Sequence, residues 1–295
     1  MELTIDQNKC TRCGECFIEC PSDSIEHDLK EDSYRIEQAV CIHCSHCALV
    51  CPAGAVSTSI GPLPPWNDPK LKPDKLKDFL VGKRSIRRYR SEQLTKELLD
   101  DILSVGSLTS TASNTQDWRA CVLTQGSVRE VGMRIIEFYL RLIKAAENPF
   151  LRFILRFTQA RPFLRRRRRY RRLIEEYFNG RDRLFFSAPV VVILSAPKRR
   201  GHFGMANCIL AGQAMMYYAQ SLGIGSCMIG FAEIALNRLM DLRSQLGILA
   251  SHSVGLVFTL GFTDLKFHKL PLRKTIPTQY LERLSSRSRE QPSSS

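Results

Sequence analysis

The chain lacks a long apolar run: its longest candidate, residues 188–197, is about half of the ~18 uninterrupted apolar residues that a membrane-spanning helix needs. No spanning helix is expected. The opening Met1-Glu2-Leu3-Thr4-Ile5-Asp6 lacks a basic region followed by an apolar stretch, so a secretory leader is not expected there either. Both absences point to a reducing cytoplasm, where cysteines serve as metal ligands or catalysts more often than as disulfides. Acidic residues are in short supply, 29 against 43 Lys and Arg, for a formal charge of +14. Even so, no groove-reading motif or aromatic-interleaved platform accompanies the basic residues, which argues against nucleic acid as a partner. The 44% apolar content excludes wholesale disorder. At roughly 100–200 residues per domain, 295 residues suggest two domains.

The charge is unevenly spread. Residues 1–60 carry four basic and ten acidic side chains, whereas residues 134–183 carry fifteen and five. The chain is therefore a charge dipole, acidic at its start and most basic near its middle.

What the sequence has in abundance is cysteine at its start. Eight of the eleven cysteines fall in the first 51 residues, in two copies of one pattern with a period of 31 residues. The first is Cys10, Cys13, Cys16 and Cys20 followed by Pro21; the second is Cys41, Cys44, Cys47 and Cys51 followed by Pro52. Three thiolates at i, i+3 and i+6 can wrap one Fe4S4 cube while the fourth, before proline, reaches the other cube. Paired zinc knuckles share the Cys-x-x-Cys spacing, but they use two pairs of ligands and not a third cysteine followed by Cys-Pro. The segment resembles the bacterial two-cluster ferredoxins over about its first 58 residues. That resemblance implies that Cys10, Cys13, Cys16 and Cys51 hold one [4Fe–4S] cluster, and Cys41, Cys44, Cys47 and Cys20 the second. His43 and His46 are read as loop residues that tune a cluster, since no cysteine ligand is missing. The local acidity fits a small electron carrier that docks on basic partners.

Residues 61–73 hold five of the fourteen prolines. Such a segment is stiff and cannot donate a regular ladder, so residues 61–75 read as a linker between domains. Helical periodicity resumes over Lys75 to Leu80, followed by Lys83-Arg84-Ser85-Ile86-Arg87-Arg88-Tyr89. A polar loop, Ser110 to Arg119, enters a strand over 120–124. A long apolar helix is expected over 207–223, and a strand over 254–260 leads to Gly261-Phe262 and then Arg273-Lys274.

In this order and spacing, residues 76 to about 276 resemble the FMN-dependent nitroreductase family. Its members carry Arg-Arg-Ser-x-Arg-x-Phe, then Pro-Ser-x-x-Asn-x-Gln-Pro-Trp, then Gly-Tyr-Pro and a basic pair. Here Ser110 and Asp117 stand in place of prolines, Ala112 in place of a serine, and Tyr89 and Phe262 in place of Phe and Tyr. The resemblance implies an α+β chain: a nitroreductase-like α/β/α sandwich over 76–280, dimeric with FMN at the interface, preceded by a small ferredoxin-like domain over 1–60. It also implies roles. Lys83, Arg84 and Ser85, with Arg273 and Lys274, would hold the FMN phosphate end, since a dianion needs a cationic clamp. Arg87 would sit at the pyrimidine edge, where negative charge develops on the reduced flavin. Thr111, Asn114 and Gln116 would approach from the partner subunit, and Ile229 and Gly230 would present backbone near N5. Cys121, Cys208 and Cys227 read as small buried side chains.

Residues 133–183 are long for a connection in that family. A helix is expected over 133–144, followed by the apolar run 150–157 and the arginine run 165–172. Three uses compete: a cap on the flavin, a peripheral membrane contact through aromatics and arginines, or a dock for the acidic ferredoxin domain or an acidic redox partner. The implied whole is a homodimeric oxidoreductase. A ferredoxin- or flavodoxin-type carrier would reduce the clusters, the clusters the FMN, and FMN a small electron-poor acceptor. Flow from NAD(P)H through FMN to the clusters, or a non-catalytic relay subunit, are the alternatives. Residues 281–295 read as a disordered tail.

Overall fold

The 31-residue sequence period returns as a period in backbone conformation. Arg12, Gly14 and Asp23 have positive φ of 59°, 79° and 49°, and so, one period later, do His43, Ser45 and Gly54, at 53°, 63° and 58°. A left-handed residue reverses the chain locally, so each copy folds back between its cysteines. The computed structural model describes residues 2–65, 67, 69–124, 126–150, 153 and 161–281, with backbone alone for 161–167.

Within the cysteine block, β1 (Leu3–Ile5) pairs antiparallel with β4 (Val56–Thr58), and β2 (Ile25–Asp28) with β3 (Ser33–Ile36). Two short helices, α1 (Glu15–Ile18) and α2 (His46–Val50), occupy equivalent places in the two copies. Leu3, Ile25, Tyr34 and Val56 pack with Cys16 and Cys47 into one small core. So small a core supplies little burial, and groups that cross-link it add what the side chains cannot.

Next come α3 (Pro73–Gly82) and α4 (Lys96–Gly106), with no helix or strand among the described residues of 61–72. Pro73 sits in the first turn of α3, where its missing N–H costs nothing. Strands β5 (Arg119–Thr124), β6 (Val190–Pro197), β7 (Ile224–Met228) and β8 (His252–Phe262) form one antiparallel sheet in the order β5-β6-β8-β7. Between them run α5 (Gly126–Glu147), α6 (Arg161–Phe178), α7 (His202–Ser221), α8 (Gly230–Leu236) and α9 (Met240–Gln245).

The apolar run noted in the sequence is explained by β6. Val191 and Ile193 face a core shared with α5, α6, α8 and α9, while Val190, Val192 and Leu194 face a second core shared with α4 and α7. A strand covered on both faces reads as continuous rather than alternating. The expected layered α+β architecture is present.

Several boundaries differ from expectation. Helix α7 begins at His202, five residues before the expected Asn207, because its first turn is largely exposed and shows no apolar periodicity. Strand β7 begins directly after the expected end of that helix and is not among the expected strands. Its Gly225 is needed where Ile86 crosses: a Cβ at that position would lie 2.8 Å from the Ile86 side chain.

Residues 2–265 make one compact unit, and Lys266 onward is counted as a second, without helix or strand in its described part. Apart from Leu281, the tail expected over 281–295 lies outside the described residues, as do most of the apolar run 150–157 and the side chains of Arg165 to Arg167. Among the described residues no helix is long and apolar enough to cross a membrane.

Candidate functional site

Two cavities in the cysteine block divide the eight thiols four and four. Cys10, Cys13, Cys16 and Cys51 line one, walled by Ile5, Tyr34 and Val56. Cys20, Cys41, Cys44 and Cys47 line the other, with Leu3, Ile25 and Ile36. The last cysteine of each copy thus stands with the first three of the other. Among the described residues no group of three His, Cys, Asp or Glu side chains is placed to hold a single metal ion. A cubane asks for something else, one thiolate at each of four iron corners, and four thiols lining a cage fit that demand. Burial pushes the Cys47 thiol up to about 11, with Cys44 and Cys41 adding repulsion. Four thiolates this close relieve one another only around a cationic core.

Hydrogen bonds to the sulfurs differ between the cages. The Ala55 N–H donates to Cys51 Sγ at 3.2 Å, and one period earlier the Ser24 N–H donates to Cys20 Sγ at 3.3 Å. Cys20 also has the Ser24 hydroxyl at 3.1 Å, which itself accepts from Ser22 at 3.3 Å. Neither serine was singled out from the sequence. Laying one copy over the other would have shown them, since Ser22 and Ser24 correspond to Ala53 and Ala55.

The basic segment lies along the edge of the large sheet. Ser85 bridges Ser226 of β7 in parallel, and the Ile86 N–H donates to Ser226 O at 2.9 Å. Tyr89 fastens its end, its hydroxyl 2.8 Å from Ile86 O and 2.7 Å from Thr259 Oγ1. Lys83 turns inward, where its Nζ donates to Ser226 Oγ at 2.8 Å and to Arg84 O at 3.2 Å. Burial lowers its pKa from the ordinary lysine value. Arg84 donates through Nη1 to Lys83 O, but its Nη2 is buried with no partner among the described residues. Such a group costs free energy unless a ligand satisfies it, and an anionic phosphate is the chemistry it fits. Ser85 and Arg87 are exposed, with the Arg87 guanidinium 5.8 Å from the Phe186 ring centroid.

Ile229 precedes α8, and its N–H donates to Val257 O at 2.8 Å, so that donor is engaged within the protein. Gly230 is exposed and opens α8, and a Cβ placed on it would meet nothing within 4 Å. A first-turn N–H has no acceptor within its helix, so the Gly230 N–H, unlike that of Ile229, is not committed by the fold's own ladder.

The 111–116 loop is held by its own polar groups. The Gln116 N–H donates to Thr111 Oγ1 at 3.1 Å, and Gln116 Nε2 donates to Asn114 Oδ1 at 2.8 Å. Ser113, Asn114 and Gln116 all have positive φ. Asn114 Nδ2 donates to His43 O at 2.8 Å and Ile42 O at 3.2 Å, so the amide that the resemblance directs at a flavin here reaches the second cysteine motif of its own chain. Gln116 borders a cleft with Leu103, Trp118 and Met215 that includes none of Lys83, Arg84 or Arg87. Asp117, in place of a proline, binds Arg200 at 3.0 Å and so ties the loop to the turn before α7. Asn207 accepts from the Ala112 N–H at 3.2 Å. Arg273 and Lys274 belong to the second unit and are exposed.

Helices α5 and α6 of the long connection join the core beside α8. Tyr139 and Tyr170 lie 4.8 Å apart, Tyr170 meets Phe231 edge-on at 5.0 Å, and the Tyr139 hydroxyl donates to Phe231 O at 2.7 Å. Part of the arginine charge is paired locally, Arg171 with Glu147 at 3.0 Å and both Arg172 and Arg183 with Glu176 at 2.9 Å. Cys208 and Cys227 are buried and Cys121 is half-buried. Burial pushes the Cys208 thiol up to about 12, as for a packing residue.

Residues 80–262 match the Nitroreductase family, and residues 2–59 match the 4Fe-4S dicluster domain. A chloronitrobenzene nitroreductase of Comamonas testosteroni is 26% identical over 208 residues, which is 63% of this chain and 86% of that protein. A nitroreductase with bound FMN from Desulfitobacterium hafniense DCB-2 has a TM-score of 0.51 at 21% identity, covering 72% of this chain and 100% of its own. An FMN-dependent nitroreductase from Clostridium difficile R20291 has a TM-score of 0.52 at 15% identity, covering 71% and 100%. At these identities the solved structures speak for the fold.

Proposed function

The chain belongs to the nitroreductase family, and on that premise we propose an iron–sulfur flavoprotein oxidoreductase that runs from a low-potential one-electron carrier, through two [4Fe–4S] clusters and FMN, to an electron-poor acceptor. Nitroaromatics, quinones and activated alkenes are the acceptor class. One observation carries this reading: eight thiols stand in two cages of four, inside the same compact unit as the 83–87 segment. The dicluster match over 2–59 supports the clusters, and the FMN-bound relative supports the flavin. FMN, when bound, accepts electrons singly and releases them in pairs, which the clusters alone do not do.

The residues divide the work. Residues 1–60 act as the cluster domain and 76–280 as the flavin domain. Arg84, with Ser85 beside it, holds the phosphate, and Lys83 anchors the segment through Ser226. Arg87, held over Phe186, presents a fixed positive charge to the pyrimidine edge, which favours the reduced, more anionic form. The Gly230 N–H serves N5, with Ile229 fixing the turn through Val257. Thr111 and Gln116 complete the site from the second copy of a homodimer, whereas the Asn114 amide is engaged with Ile42 and His43 of its own chain. Helices α5 and α6, packed on Phe231 next to Gly230, act as the cap that keeps water from that side. A reducing cytoplasm suits both the thiols and the donor.

Anaerobic purification is expected to give iron and sulfide for two clusters and one FMN per chain. Chemically reduced ferredoxin or flavodoxin is then expected to drive turnover of an acceptor panel. Flavin bleaching by NAD(P)H with cluster reduction following it would instead support the opposite direction of flow.

A further inference from the structure

Four observations set the two cages apart. The first is the pattern of donors on sulfur. In the cage of Cys20, Cys41, Cys44 and Cys47, Cys20 Sγ takes the Ser24 N–H at 3.3 Å and the Ser24 hydroxyl at 3.1 Å, and Cys41 Sγ takes the His43 N–H at 3.4 Å. Once Cys20 is a ligated thiolate it carries no proton, so the hydroxyl is the donor. In the other cage the equivalent of Ser24 is Ala55, which offers only its N–H, at 3.2 Å from Cys51 Sγ. Second, Ser22 donates to Ser24 Oγ at 3.3 Å, which aims the Ser24 proton at sulfur; its equivalent is Ala53.

Third, the loop between Cys41 and Cys44 is the one that Asn114 grips, through Ile42 O at 3.2 Å and His43 O at 2.8 Å. Gln116 Nε2, 2.8 Å from Asn114 Oδ1, fixes which end of the amide faces the cysteine loop. Fourth, Cys13 of the other cage is solvent-exposed, whereas no cysteine of the Cys20 cage is.

Donors on a ligating sulfur draw charge off the cluster and raise its reduction potential. We propose that the cluster of Cys20, Cys41, Cys44 and Cys47 is the more oxidising of the two and collects electrons beside the 111–116 loop, while the cluster at exposed Cys13 receives them from the external carrier. This rests on the reading that both cages hold [4Fe–4S] clusters. In balance, the carrier loses one electron to the Cys13 cluster, which passes it to the Cys20 cluster. Two such passages supply the pair that leaves through the flavin. Solvent at Cys13 also raises the potential of its cluster, but at one corner only. The Ser24 hydroxyl acts on the other cluster at contact distance, with Ser22 behind it.

The test is an EPR-monitored redox titration of the full-length holoprotein. Two separate one-electron midpoints are expected in the unaltered chain. Ser24→Ala is expected to lower the higher midpoint alone. Ala55→Ser, which installs the missing hydroxyl in the other cage, is expected to raise the lower midpoint alone and narrow the gap. Asn114→Ala is expected to move the same wave as Ser24→Ala, by less. The proposal is overturned if the two midpoints coincide, if Ser24→Ala moves the lower wave or neither, or if Asn114→Ala moves the wave that Ala55→Ser moves. Iron and sulfide short of two clusters per chain would instead overturn the cluster reading beneath it, so the two failures are distinguishable.

Discussion

Replacing Cys51 with alanine is expected to abolish the cluster of Cys10, Cys13 and Cys16, although Cys51 belongs to the other sequence motif. The expectation follows from the cage in which Cys51 stands with those three thiols. Iron and sulfide should fall by about half, since each cube takes four of the eight thiolates. The surviving signal should be the one that Ser24→Ala shifts, because Cys20, Cys41, Cys44 and Cys47 stay together. Cys20→Ala should show the reverse. If each variant instead lost the cluster of its own motif, the ligands would not cross between copies and the cage assignment would be wrong.

The second large effect is expected at Arg84. Its Nη2 is buried without a partner among the described residues while Nη1 is held by Lys83 O, so the side chain is already positioned and one donor is open to a dianion. Hydrogen bonds to charged groups contribute about 1.5–3 kcal/mol. Arg84→Ala should therefore weaken FMN binding about 10- to 150-fold, read by flavin fluorescence on dilution of the purified protein. Arg84→Lys should recover part of this, since it keeps the charge and loses the planar fork. Unchanged retention in Arg84→Ala would place the phosphate elsewhere.

Much of the architecture could be read before any coordinates. Two cysteine motifs, one period apart, were legible because ligand spacing is local, and the structure repeats it in the backbone at Arg12 and His43, Gly14 and Ser45. The apolar run of β6 was legible because burial on both faces removes alternation. What stayed hidden depends on residues far apart in sequence. That Lys83 turns inward needed Ser226, 143 residues away, and Asn114 finds His43 across 71 residues. Strand β7 was not legible because Gly223 and Gly225 stand at its start and glycine weakens a strand pattern, whereas Gly225 is required by the approach of Ile86. The donors at Cys20 were in plain sight, but only a position-by-position comparison of the two copies separates Ser22 and Ser24 from ordinary turn residues.

The charge imbalance also takes on a shape. The acidic first sixty residues are the cluster block, and part of the arginine excess is paired to Glu147 and Glu176 within the α5 and α6 helices. Exposed pairs of that kind contribute little to stability, about 0–1 kcal/mol each. Their effect is to leave less free positive charge for an external anion than the sequence count suggests.

In the proposed enzyme the clusters supply the flavin. Anaerobic stopped-flow mixing of the oxidised holoprotein with a reduced one-electron carrier, with cluster and flavin absorbance followed together, separates this from direct reduction of the flavin. Cluster bleaching first and flavin bleaching after it, with the flavin phase slowed in Cys51→Ala, is the predicted result. Flavin bleaching ahead of the clusters, at a rate that Cys51→Ala leaves unchanged, would contradict it.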